Sequence, residues 1–353
     1  MECMTQRSPK ELKEILDEAN KNLAKGDWKK AELALGPIIE GHSEDMASLK
    51  FVVNALLLRA LCNLERSELA KVQDDLDRAL DLAKRARDPL LEGEVLARLA
   101  RHSWRCGDYK KALDILEKAK RIAGAAKDLR LEGLIHSERG AVYTQSHRLD
   151  AAESEFREAV LALERSGDLR ELAKAYNYFG NNFVFKGEYK TAVEIFGKCK
   201  RAAEKAGDGP ITALAKMNLG QYLIEIGKFK EALSEMDGVI PSMQRAKDVN
   251  GIMNANETCG IIYAKMGEWE KAEEHFFVAR NLAQRSGVPY DEGRCLYHIG
   301  RMYKWRGDKA KALRFLKEAL EVARKSGISQ GMVLIEKEIR EVEGSSVDRS
   351  RKH

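Results

Sequence analysis

The sequence predicts an all-α protein, a solenoid of eight stacked helix pairs closed by one further helix, and three observations carry that prediction. Glycine recurs every forty residues at Gly187, Gly227, Gly267 and Gly307, with Gly107 on the same count. A second series, Gly140, Gly180, Gly220, Gly260 and Gly300, runs seven residues ahead of the first and continues as Ala100 and Ala60. Between these positions apolar residues recur at three- and four-residue spacing, and the alternating β-branched runs that mark strands are absent. A fixed period of this length belongs to repeat architectures, in which each unit buries its apolar face only on its neighbours.

One unit shows the logic. Over 169–186, Leu172, Tyr176, Phe179 and Phe183 form a helical face. Gly187 then supplies the positive φ that ends a helix. A second face, Ala192, Ile195, Phe196, Cys199, Ala202 and Ala203, runs on to "KAGD" at 205–208. Each unit is thus expected to be two antiparallel helices of roughly 25 Å, at about 1.5 Å per residue. A glycine within a helix costs about 1 kcal/mol against alanine, so the earlier series needs a purpose. Close approach of the two helices at Gly180 and Ala192 supplies one.

In chain order the units fall at about 9–46, 47–88, 89–128, 129–168, 169–208, 209–248, 249–288 and 289–328. The first turns at Gly26, with Ala31 five residues on. The second departs most, with Ser67 at the turn and Val72 in the small-residue slot. It also holds the most apolar stretch, "FVVNALLLRALCNL" (51–64), which Asn54 and Arg59 interrupt and which is shorter than a membrane span requires. Units three to eight keep the small residue five after the turn (Ala112, Ala152, Ala192, Ala232, Ala272, Ala312) and a large apolar residue nine after it (Leu116, Phe156, Phe196, Met236, Phe276, Leu316). Unit four carries His147 at its turn. "SQGMVLIEKEIREVEG" (329–344) reads as a capping helix laid down through Met332, Ile335 and Ile339. Residues 1–8 and the basic tail 345–353 are expected to be disordered.

The order of Gly or Ala, Tyr or Phe, Gly-Asp/Glu-Tyr/Trp, Ala, Phe, Ala resembles the tetratricopeptide repeat, in a longer forty-residue form similar to Pins-type spindle-orientation adaptors and to sensor domains of some bacterial transcription activators. "LGQYLIEIGKFKEAL" (219–233) and "IGRMYKWRGDKAKAL" (299–313) carry it most clearly, and it covers about 9–328. It implies a right-handed superhelix whose first helices line a concave, peptide-binding groove. The family's pattern assigns to that groove the positions 13, 10, 6, 3 and 2 before each turn residue. Those slots hold Arg101, Trp104 and Arg105; Lys174, Asn177 and Asn181; Gln221; Asn254; and Arg294, Tyr297, Arg301, Lys304 and Trp305. With Lys13 and Lys265 they contain eight basic residues, against the acidic Glu65, Glu94, Glu225 and Glu257. A groove of this balance suits an acidic-leaning peptide held by arginine forks and asparagine amides.

Other functions find less support. The seven histidines are scattered, with no HExxH, no phosphate-binding glycine loop and no nucleophile elbow. Neither a catalytic site nor a metal or cofactor is expected. The six cysteines show no pairing pattern, and they read as core fillers of a cytoplasmic chain with no membrane span and no secretory leader. A net charge of +5 is modest for nucleic acid, and runs such as "AKRARD" (83–88) alternate with acids. The expected role is a protein-interaction scaffold or adaptor. The alternatives are a ligand-sensing regulatory module and an RNA- or DNA-associated repeat protein. Partner and oligomeric state are not encoded in any motif.

Overall fold

The computed structural model describes residues 7–41, 45–65, 68–327 and 329–344. Ser67, His42, Cys3 and the 345–353 tail lie outside the described residues, as does the side chain of Glu65. The described residues form helices joined by short turns, with no strand among them. In chain order these are α1 Pro9–Ala24, α2 Trp28–Ile39, α3 Met46–Glu65, α4 Leu69–Arg85, α5 Pro89–Arg105, α6 Tyr109–Ala126, α7 Leu129–Gln145, α8 Leu149–Ser166, α9 Leu169–Phe185 and α10 Tyr189–Ala206. They continue as α11 Gly209–Glu225, α12 Phe229–Met236, α13 Val239–Ala246, α14 Val249–Met266, α15 Trp269–Ser286, α16 Pro289–Arg306, α17 Lys309–Lys325 and α18 Ser329–Gly344. Where the sequence suggests one domain over 9–344, the contacts separate two compact units, Met1–Ala215 and Lys216–His353, which divide inside α11.

Both glycine series have the purposes the sequence assigns them, one with a changed partner. The turn glycines Gly26, Gly107, Gly187, Gly227, Gly267 and Gly307 all have positive φ, and His147 adopts φ 57° in the same slot. At the helix contacts, a Cβ on Gly180 would stand 2.6 Å from Cε1 of Phe196. Gly140 meets Phe156 at 2.6 Å, Gly260 meets Phe276 at 2.8 Å, and Gly300 meets Leu316 at 2.7 Å in the same way. Each glycine therefore makes room for the large apolar residue sixteen positions later. Ala192 is fully buried, but the residue that requires Gly180 is Phe196.

Aspartates start many of the helices. The carboxylates of Asp88, Asp128, Asp168 and Asp248 accept from the backbone N–H three residues on, at 3.1, 2.7, 3.0 and 2.8 Å. A cap of this kind is worth about 1 kcal/mol. The residue before each is left-handed, and three of the four are not glycine: Arg87, Lys127 and Lys247 have φ 51°, 54° and 55°. Ser8 belongs to the ordered chain, since its side chain closes a capping box with Glu11 at the start of α1.

Two helices differ from expectation. The second helix of pair six is split into α12 and α13 at Asp237 and Gly238, the latter at φ 75°. Pro241 explains the break, because its ring would clash with the carbonyl four residues back in a continuous helix. α3 is longer than the quoted apolar stretch, and its Met46–Leu64 segment is long and apolar enough, by length and composition, to cross a membrane. In the fold it packs on α2 and α4, burying Val53, Ala55, Leu56 and Ala60. Its Arg59 reaches Asp75 of α4 at 3.0 Å, and Asp75 is itself buried.

α18 covers the last pair as expected, with Ile335, Ile339 and also Val342 buried and Met332 packed beside them. Of the described cysteines, Cys62, Cys199, Cys259 and Cys295 are buried, whereas Cys106 is exposed and is not a core filler.

Candidate functional site

In the first compact unit the predicted groove positions of α5 and α9 converge on one another. Arg101 is 3% exposed and donates from Nε to Glu138 Oε1 of α7 at 2.7 Å. Trp104 donates its indole N–H to the other oxygen of the same carboxylate at 2.9 Å, and its ring meets Tyr178 edge-on at 6.1 Å. Lys174 Nζ lies 3.0 Å from Glu171 Oε1, which also accepts from Arg98 Nη2 at 2.8 Å. Arg130 joins Glu94 at 2.9 Å to Asp168 at 3.0 Å. The result is a continuous ionic layer across α5, α7 and α9.

The electrostatics follow from that crowding. Burial alone would raise the Glu171 carboxyl, but Arg98, Lys174 and Arg101 hold it well below the usual carboxylate range. Burial opposes the charge on Arg101, and Glu138, Tyr178 and Glu171 overcome it, so its guanidinium stays charged. Lys174 is pushed down, by burial first and then by Arg98 and Arg101. Arg101 and Lys174 are therefore committed within the chain, and charge counting along a sequence cannot see this: their counterions, Glu138 and Glu171, stand outside the slots assigned to the groove. Arg105 is exposed, and Asn177 and Asn181 are half-buried. The adjacent Asn182, which sequence reasoning passed over, is fully buried. It accepts from Thr144 at 3.1 Å and donates to the Leu149 carbonyl at 3.1 Å.

The second unit is more open. Here α14 supplies Asn254, Glu257 and Lys265, α16 supplies Arg294, Tyr297, Arg301, Lys304 and Trp305, and α18 supplies Glu338 and Glu341. Trp305 lies between two cations, with Lys265 Nζ 3.9 Å and the Arg301 guanidinium carbon 4.8 Å from its ring centre. Arg301 faces Glu338 at 3.3 Å, and Lys304 reaches both Glu338 and Glu341. Arg294 donates to Asn254 at 2.7 Å and pairs with Glu257 at 3.0 Å. Burial raises the Glu257 carboxyl despite Arg294 and the Cys295 thiol. Gln221 is exposed on α11. Sequence reasoning also missed Glu338 and Glu341, because only the fold of α18 brings them to α16.

No group of three or more His, Cys, Asp or Glu residues among the described residues is arranged to hold a metal ion. Burial pushes the Cys199 thiol up to about 12 and that of Cys259 up to about 11, which makes both inert.

Comparison with known proteins agrees with the repeat pattern. Tetratricopeptide repeat models match residues 251–325 and 95–130. Tetratricopeptide repeat protein 29 of Trypanosoma brucei brucei is 23% identical over 176 residues, covering 48% of this chain and 37% of that protein. The chain therefore matches little more than a third of that curated relative's length. Among solved structures, a signal transduction ATPase with a tetratricopeptide repeat sensor from Pyrococcus horikoshii aligns at TM-score 0.60 and 14% identity, covering 88% of this chain and 55% of that one. A Rap protein complexed with Competence and Sporulation Factor aligns at TM-score 0.55 and 14% identity, over 97% of this chain and 99% of that one. The apo form of RapI aligns at 0.56 and 13%, over 96% and 98%. At these identities the likeness is one of fold.

Proposed function

Because this chain is built of tetratricopeptide repeats, whose fold is that of a protein-interaction scaffold, we propose that it is a non-enzymatic adaptor that binds an acidic-leaning peptide segment along α14 and α16 of its second unit. The observation that carries this reading is the Trp305 cluster. Two cations, Lys265 and Arg301, lie over an aromatic ring, Lys304 stands on the same helix, and the α18 carboxylates Glu338 and Glu341 already sit against Arg301 and Lys304. Lys265 is exposed. Carboxylates from a partner would meet the same cations, while Asn254 and Tyr297 offer an amide and a ring for the rest of a peptide. The buried Arg101 and the partly buried Lys174, both paired within the chain, take no part. A cytoplasmic location belongs to the same proposal.

The test is affinity capture from a nuclease-treated lysate, comparing the wild-type chain with Lys265→Glu/Arg301→Glu. A protein bound by wild type and at least tenfold weaker on the variant, about 1.4 kcal/mol, is the expected outcome. Equal binding by both would refute the site, and capture seen only when the nuclease is omitted would favour nucleic acid. A second reading, a sensor, is supported by two fold neighbours: the Pyrococcus protein has a tetratricopeptide repeat sensor, and the Rap protein is complexed with Competence and Sporulation Factor.

A further inference from the structure

The last pair contains a space that other pairs fill. In pair three, a Cβ on Gly93 would meet Leu131 Cδ2 of the following helix at 2.6 Å and Ile122 at 3.3 Å. In pair four, the same position, Gly133, is filled by Leu163 at 2.5 Å. The forty-residue period maps these onto Gly293 of α16, with Gly331 in place of Leu131, Val322 in place of Ile122 and Ala323 in place of Leu163. Val322 keeps its contact, at 3.5 Å, but the two leucines have become glycine and alanine. What remains is a cavity of about 190 Å³ among α16, α17 and α18, walled by Tyr297, His298, Ala323 and Ile335. Tyr290 and Leu334 stand at its wall and are 57% and 58% exposed.

We propose that this cavity is an anchor pocket that takes one bulky uncharged side chain, leucine-like or aromatic, from the peptide the scaffold binds. The proposal rests on the adaptor reading above. Size supports it, since an engineered apolar cavity of about 150 Å³ holds a benzene ring. So does the chain's own repeat, which puts leucine side chains into the equivalent place. The lining favours an uncharged occupant: it is largely apolar, and Nη2 of Arg294, at the wall, is already engaged by Asn254, Glu257 and Asp291. His298 is neutral at physiological pH, pushed down to about 3 by burial and by Arg301 and Arg294. Tyr297 lies on α16 between the pocket and the Trp305 cluster, so one peptide can reach both.

The experiment uses the full chain in two arms. In the first, indole, p-cresol and toluene are titrated and read by melting temperature and by the methyl resonances of Leu334 and Ile335. Saturable shifts are expected in wild type. They should be lost in Gly331→Leu, which restores the missing side chain, and in Gly293→Leu, which fills the pocket from the opposite wall. In the second arm a random displayed peptide library is selected on wild type, and the enriched peptides are expected to share a leucine or aromatic residue and to bind Gly331→Leu at least tenfold more weakly. Absence of any probe binding to wild type would overturn the pocket. Peptides that bind wild type and both filled variants equally would overturn it while leaving the adaptor reading intact. Probe binding with no peptide selected would mean a free small molecule is the occupant, and the anchor proposal would fall together with the adaptor reading.

Discussion

Replacing Gly180 by alanine tests the central packing rule of the repeat. The new Cβ would stand 2.6 to 2.8 Å from three carbons of the Phe196 ring, which is fully buried. Overpacking of this kind costs about 1–3 kcal/mol, and the better helix propensity of alanine returns about 1 kcal/mol. A net loss of up to about 2 kcal/mol is expected. Phe196→Leu alone leaves a void and should cost about 1–2 kcal/mol. Together the two changes recreate the arrangement of pairs two and three, where Ala60 and Leu76, and Ala100 and Leu116, stand sixteen residues apart and are buried. The double variant should therefore be at least about 1 kcal/mol more stable than the sum of the single effects. Urea unfolding of the full chain, followed by helical circular dichroism, measures all four corners of the cycle. Effects that add to within about 0.5 kcal/mol would show that Gly180 and Phe196 do not compete for the same space, and the account of the glycine series would be wrong.

Other consequences are equally measurable. The left-handed Lys127 and Lys247 carry a strain of about 1–2 kcal/mol per residue that glycine relieves at some entropic cost. Each Lys→Gly change should therefore raise the urea midpoint, and a fall at both positions would contradict their φ values. Breaking the buried pair by Arg101→Ala should cost about 3–5 kcal/mol. Arg101→Met with Glu138→Leu should restore most of it, and no recovery in the double variant would mean that the pair does more than balance its own charges. Glu171 has a folded-state pKa below its unfolded value of about 4.3. Its stabilisation is present above that value and lost as pH falls through the folded pKa. The stability gap between wild type and Glu171→Gln should thus hold at neutral pH and shrink as pH falls below about 4.3, the unfolded carboxylate pKa, and a constant gap there would refute the depressed carboxylate.

What each residue reveals of itself in the sequence depends on how local its reason is. Turn glycines, helix faces and the small-residue slots repeat with the chain's period, because every pair solves the same contact problem with the same neighbours. The break in pair six was also written locally, in Pro241, although the strength of the periodic pattern hid it. The second left-handed series was less visible. It mixes glycine with Arg87, Lys127 and Lys247, and lysine and arginine mark no turn by themselves. The aspartates that follow were the better signal.

The candidate site divides along the same line. The repeat pattern, through its family resemblance, assigned Arg101, Lys174, Arg301, Lys304 and Trp305 to one face of the first helices. Tertiary structure decided which of those charges were free. Helices α5, α7 and α9 bring Glu138 and Glu171 against Arg101, Lys174 and Arg98, residues up to 73 positions apart, and α18 brings Glu338 and Glu341 to Lys304. Periodicity fixes the direction a side chain takes from its own helix, whereas its charge partner is set by distances between helices, and the burial that makes an ion pair permanent exists only once those helices have packed.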